Sequence, residues 1–265
     1  MTAPGGPSLY LFRMRLPCAI LVLAVLGASA AAAEGGPPTG RSVYRLPLHA
    51  PGADHVNYLL YVPPAYGDQP SAAWPLIVFL HGSEQRGDDP SLLAGMEPLV
   101  FADQQTDFPF IVVVPQCPPG TDWQPPMVKS VLDTVEANLR IDRSRVYLTG
   151  FSMGGLGTWQ TAASFPGTFA AIAPLCGLSD IADVPRLKGL PIWVFHGAQD
   201  RNVPVSESLR MVAALRDADI DASLTVYPHL AHDCWTATYG DSRLYFWFLE
   251  HSLAGAGVAS VDSSG

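Results

Sequence analysis

Ser152 stands in Gly150-Phe151-Ser152-Met153-Gly154-Gly155, after the apolar run Val146-Tyr147-Leu148 and before a segment of helical pattern. A G-x-S-x-G pattern between a strand and a helix marks a nucleophile elbow. Its glycines permit a turn too tight for Cβ atoms, and the strained serine lifts its Oγ clear. A hydroxyl is a weak nucleophile at neutral pH. It needs a base to take its proton, and a carboxylate to hold that base in one tautomer. The partners of Ser152 are therefore sought downstream, acid before base.

Asp200 is the leading acid, because His196-Gly197-Ala198-Gln199-Asp200 leaves an apolar strand where parallel sheets place functional groups. Asp180 and Asp183, after the preceding strand, are rivals; as plain helix caps or loop carboxylates they would do no chemistry. The candidate bases are His229, His232 and His251. His251 falls at the end of the closing helix, where a histidine often serves only as a C-terminal charge. His229 directly follows Pro228 at a strand end, with little loop to carry it back over Ser152. His232, in Leu230-Ala231-His232-Asp233-Cys234-Trp235, has that loop and is the base expected.

Acyl transfer also needs two N–H donors aimed at the developing oxyanion. One is the amide of Met153, the residue after the nucleophile. The second is expected in His81-Gly82-Ser83, from Ser83 with Gly82 next, and His81 reads as a brace for that loop. Trp123 and Trp235 follow segments ending at the same edge. They are candidates to wall a substrate pocket, with ordinary core packing the competing reading.

The elements that must position these groups read as an α/β chain. Arg41–Leu46 and His55–Val62 form an antiparallel pair at one sheet edge, the second ended by Pro63-Pro64. Pro75–Leu80, Phe110–Val114, Val146–Leu148, Phe169–Leu175, Ile192–Phe195 and Ser223–Tyr227 are further strands, several apolar throughout, as expected where both faces are covered. Helical periodicity fills the gaps. Met127–Leu139 puts Val128, Val131, Leu132, Val135 and Leu139 on one face, Ser206–Leu215 does so with Leu209, Val212, Ala213 and Leu215, and Leu244–Leu249 closes the fold. Strands alternating with amphipathic helices predict one α/β domain over residues 41–253, a mostly parallel sheet with helices on both faces.

Arg13 and Arg15 precede an apolar run from Leu16 to Leu26 and then small residues to Ala33, the pattern of an export signal over residues 1–33. That run is shorter than the ~20 residues a membrane span needs, so no stable anchor is expected once it is cleaved after Ala30 or Ala33. Localisation is thus expected to be secreted or periplasmic, with a Gly/Pro-rich linker at 34–40 and a disordered tail at 254–265. The formal charge is −9, and losing both arginines makes it −11. A chain this acidic, without a basic run, argues against nucleic acid as a partner. Cys117, Cys176 and Cys234 remain after cleavage, an odd number; their spacing fits no zinc motif, each reads as a buried small residue, and a Cys176–Cys234 bridge stays open.

Gly150-Phe151-Ser152-Met153-Gly154-Gly155, His196-Gly197-Ala198-Gln199-Asp200 and Ala231-His232-Asp233 together resemble the α/β-hydrolase superfamily. They are most similar to its secreted esterase and predicted-peptidase group, near feruloyl esterases, polyhydroxybutyrate depolymerases and the prolyl oligopeptidase catalytic domain. Such chains often read H-G-x-G-E-R-G-D after the third strand; here His81-Gly82-Ser83-Glu84-Gln85-Arg86-Gly87-Asp88 departs from it at Glu84 and Gln85. The resemblance implies an eight-stranded sheet with its second strand antiparallel, and neither metal nor organic cofactor. The expected activity is hydrolysis of a small-molecule or polymer-linked carboxylic ester, with a prolyl-oligopeptidase-like serine peptidase or a phospholipase as alternatives.

Overall fold

The computed structural model of the chain describes residues 38–50 and 53–253. The expected signal segment, most of the linker and the expected tail lie outside these residues. One sheet of eight strands runs through the molecule: β1 (Gly40–Ala50), β2 (Ala53–Val62), β3 (Trp74–Leu80), β4 (Ile111–Pro115), β5 (Ile141–Phe151), β6 (Ala171–Leu175), β7 (Ile192–Gly197) and β8 (Ala222–Tyr227). Their spatial order is β1-β2-β4-β3-β5-β6-β7-β8. β2 is antiparallel to both β1 and β4, and every pairing from β4 to β8 is parallel.

Alternation along β3 shows why its apolar run is continuous. Leu76, Val78 and Leu80 enter one core layer and Ile77 and Phe79 the other, and all five are essentially unexposed. The first layer is closed by α2 (Pro125–Asn138), α3 (Met153–Ser164) and α4 (Ser206–Asp217). The second is closed by α1 (Glu97–Asp103), α5 (Trp235–Tyr239) and α6 (Ser242–Glu250). Pro125 and Pro126 occupy the first turn of α2, where a missing N–H leaves no bond unmade and the fixed φ suits the helix. Among the described residues no helix is long and apolar enough to cross a membrane.

Three elements differ from the pattern expected from sequence. β5 begins at Ile141, because Asp142–Arg145 extend it as a half-exposed edge that apolar periodicity does not mark. α1 is a seven-residue helix opened by Pro98 that the sequence pattern leaves unassigned. In α4 the buried stripe runs through Ser208, Met211, Val212 and Leu215, whereas Leu209, expected on the inner face, is 50% exposed. At 100° per residue, position 209 lies on the far side from 211 and 215.

The strands converge on the turn between β5 and α3. A methyl group on Gly154 would meet the carbonyl oxygen of Leu80 far inside contact distance, so the end of β3 and the first turn of α3 approach at a separation that only glycine allows. We expect Gly154→Ala to lower the unfolding free energy by about 1–3 kcal/mol or more, read from urea midpoints at unchanged m-value. Gly95→Ala, whose added methyl meets nothing within 4 Å, should leave the midpoint near that of the parent protein.

Candidate active site

Ser152 joins β5 to α3 with φ 56° and ψ −118°, a conformation that side chains rarely adopt. Its amide donates to Leu175 O at 3.0 Å and its carbonyl accepts from Leu156 N at 3.1 Å, so neighbouring strand and helix hold the strained residue from both sides. Its Oγ lies 2.9 Å from His232 Nε2, and His232 Nδ1 lies 2.7 Å from Asp200 Oδ2. The structure thus brings together the serine, base and acid expected from sequence. Each comes from a strand end: Ser152 after β5, Asp200 in the loop leaving β7, and His232 in the loop leaving β8.

Asp200 is well satisfied. Oδ1 accepts from the amides of Asn202 (2.8 Å) and Val203 (2.9 Å), and Oδ2 faces His232. Burial alone would raise its pKa, but the hydrogen bonds from His232, Val203 and Asn202 outweigh burial and hold the carboxyl below its ordinary value. The rivals lie elsewhere. Asp180 caps a 3-10 turn through Ala182 N, and Asp183 pairs with Arg186. His229 is exposed, and His251 Nδ1 bonds Trp247 O.

Beyond Leu80 the chain makes a 3-10 turn at Ser83–Gln85. His81 is fully buried; its Nδ1 donates to Gly82 O at 2.6 Å while Nε2 accepts from Cys117 N at 3.0 Å. Burial lowers its pKa to about 4, so the ring is neutral with its proton on Nδ1. In a trans peptide the C=O and the following N–H point opposite ways. By pinning Gly82 O, His81 therefore turns the Ser83 amide away from itself. Neither Ser83 N nor Met153 N has a backbone acceptor among the described residues. A Cβ on Gly82 would come within 2.7 Å of the Phe151 ring, so glycine lets this loop lie against the elbow.

The two tryptophans separate. Trp235 stacks on Phe151 at 4.3 Å and sets its edge against His232 at 5.5 Å, beside the triad. Trp123 is 2% exposed, packs on the His81 ring at 4.9 Å and donates its indole N–H to His81 O. It is a buried support for the loop and no wall of a substrate pocket, because Gly157 of α3 and His81 lie against it. Two residues beside the site carried no clear sequence signal. Cys176 directly follows β6 at φ 39°, and His196 in β7 lies 3.2 Å from Asp200 Oδ2. Cys176, Asp200 and His232 form the one metal-like group among the described residues. Its geometry does not favour an ion. Asp200 and His232 already bind each other, and contact with the Cys234 thiol, with burial, pushes the Cys176 thiol far up.

Residues 124–241, which carry Ser152, Asp200 and His232, match the Dienelactone hydrolase family. A solved thermostable esterase superposes with a TM-score of 0.71 at 32% identity, over 79% of this chain and 63% of that one. The chain has the α/β-hydrolase fold. The chain is also similar to the bifunctional acetylxylan esterase/xylanase of Neocallimastix patriciarum, 31% identical over 137 residues, which make up 48% of this chain and 19% of that protein. Poly(3-hydroxyalkanoate) depolymerase C of Paucimonas lemoignei is 33% identical over 120 residues, 39% of this chain and 28% of the depolymerase. The match thus spans less than a third of either relative's length.

The loop after Ser83 is fastened to the β1–β2 hairpin. Asp88 Oδ1 accepts from Asn57 (2.5 Å), His55 Nε2 (2.7 Å) and Arg45 (3.3 Å), while His55 Nδ1 meets Asp54 Oδ1 at 2.5 Å. The bond to Asp88, with help from Asp54, raises the His55 pKa above 6.5 against the opposing effect of burial. The imidazolium therefore adds stability that is complete below pH 6.5 and fades as pH rises through its elevated folded value. Thermal melts of the parent protein and His55→Gln should differ most at mildly acid pH and converge on alkalinisation; a gap independent of pH would contradict a charged clasp.

Proposed function

We propose that the chain is an exported serine hydrolase that cleaves carboxylic esters through an acyl-enzyme. The observation that carries the reading is the hydrogen-bonded series Ser152 Oγ, His232 Nε2 and Nδ1, Asp200 Oδ2, at 2.9 and 2.7 Å. It is supported by the family match and by relatives that carry esterase and depolymerase names.

In this reading Ser152 Oγ attacks the acyl carbon as its proton passes to His232 Nε2, and Asp200 stabilises the imidazolium without itself taking the proton. The carbonyl oxygen becomes an oxyanion, held by the Met153 and Ser83 amides at the N-terminus of α3, where the helix dipole favours negative charge. His232 returns the proton to the leaving alkoxide as the C–O bond breaks. Water then attacks the acyl-enzyme with the same base, releasing the acid and restoring Ser152. Export rests on the pattern of residues 1–33.

Purified protein should hydrolyse short-chain p-nitrophenyl esters, and Ser152→Ala should lower kcat on the order of 10⁵-fold or more, as loss of a triad nucleophile does. A fluorophosphonate probe should label the parent protein and leave Ser152→Ala unlabelled. Esterase activity surviving in Ser152→Ala would overturn the assignment.

A further inference from the structure

The triad as described uses one histidine, yet Asp200 faces two. The His196 and Asp200 side chains are both fully buried, with His196 Nε2 at 3.2 Å from Oδ2. The same Nε2 lies 2.9 Å from Val203 O, and Nδ1 lies 2.7 Å from Ser208 Oγ. These contacts determine the tautomer. A carbonyl and a carboxylate can only accept, so Nε2 carries the hydrogen. In the neutral ring Nδ1 is then a lone pair, and the Ser208 hydroxyl donates to it. The Nε2–H bond is directed to Val203 O, and the positive end of its dipole also lies beside Oδ2.

Ser208 gives the second observation. It sits at 4% exposure in the buried stripe of α4, whose other members are Met211, Val212 and Leu215. A hydroxyl in such a stripe needs a partner. Its hydrogen bond among the described residues goes to His196. The polar residue in the apolar face of α4 is thus explained by the acid of the triad, one shell away.

We propose that His196, with its tautomer set by Ser208, is a positioning residue that keeps Oδ2 of Asp200 turned toward His232 and tempers the pull of the carboxylate on the base. The proposal rests on the serine-hydrolase reading above. With His196 in place, both carboxylate oxygens have N–H groups against them: Asn202 and Val203 on Oδ1, His232 and His196 on Oδ2. Without it Oδ2 depends on His232 alone. The carboxylate then holds the imidazolium form of its partner more strongly, because a positive dipole end has been removed from beside them.

Other titratable groups facing this pair are few. Cys176, from the end of β6, has its Sγ within 4.8 Å of the Asp200 and His232 ligand atoms, and it stays a neutral thiol against Cys234 and in its buried setting. Asp233, next along the chain from His232, and Arg201, next to Asp200, are exposed. α4 presents Ser208, which does not titrate.

The test is the pH dependence of kcat/KM and of the fluorophosphonate labelling rate, for the parent protein, His196→Phe, His196→Gln and Ser208→Ala. Removing the N–H in His196→Phe should move the acid limb of both profiles upward by roughly half a unit to one unit. It should also lower kcat about tenfold with KM little changed, since His196 touches no substrate. His196→Gln, which offers an amide N–H within similar reach, should bring the limb back. Ser208→Ala, which frees the tautomer but removes no bulk from around Asp200, should shift the limb the same way by less. It serves as the reporter if His196→Phe does not fold. An unmoved limb in a folded His196→Phe or in Ser208→Ala, with labelling intact, would make His196 packing alone. A parent protein that no probe labels would instead remove the serine-hydrolase reading itself.

Discussion

The approach of Gly154 to the carbonyl of Leu80 is the contact on which the site depends. It ties the end of β3 to the first turn of α3 at a distance no side chain would survive. β3 is central, with β4 and β5 hydrogen-bonded on either side, and it is also the strand that leads into His81-Gly82-Ser83. One backbone contact therefore sets both the strain of the nucleophile and the place of the loop beside it. That strain, φ 56° at Ser152, persists because bonds to Leu175 and Leu156 over-determine the turn.

Around this contact two buried histidines tie separate stretches of the chain together. His81 is held neutral by burial, and its two nitrogens join Gly82 to Cys117. His196 is used in a parallel way, its nitrogens joining Val203 to Ser208. Each stands in a His-Gly pair at the end of a parallel strand, β3 or β7, and each works as a rigid spacer with a defined tautomer. Asp200 is the exception. It is an ionised group inside the protein, and its hydrogen bonds outweigh the desolvation that burial imposes. The surface of the same region behaves differently, with the His55–Asp88 clasp depending on a proton that is lost as pH rises through the raised pKa of His55.

The chemistry was legible where a residue type and its immediate neighbours carry the constraint. A serine between glycines reads as a strained turn, and a continuous apolar run such as Leu76–Leu80 reads as a doubly covered strand, because both constraints act within a few residues. The order of Asp200 and His232 along the chain was readable for the same reason: each lies just beyond a strand that its own residues announce. Asp180, Asp183 and His229, the weaker candidates from local pattern, have other partners in the structure or lie exposed.

What local pattern could not supply was the identity of the distant neighbour. Trp123 follows a loop at the catalytic edge, as a pocket wall would, but His81, forty-two residues earlier, receives its indole N–H and buries it. Ser208 looks like an ordinary polar residue of an amphipathic helix; its meaning comes from His196 on a strand it faces only once the sheet is assembled. Leu209 seemed a core residue until the assembled sheet chose which side of α4 to cover. Periodicity and turn chemistry are properties of adjacent residues and survive in the unfolded chain. Burial, tautomer and the state of a carboxylate belong to groups that meet only when separate strands pair, and these were settled by the fold.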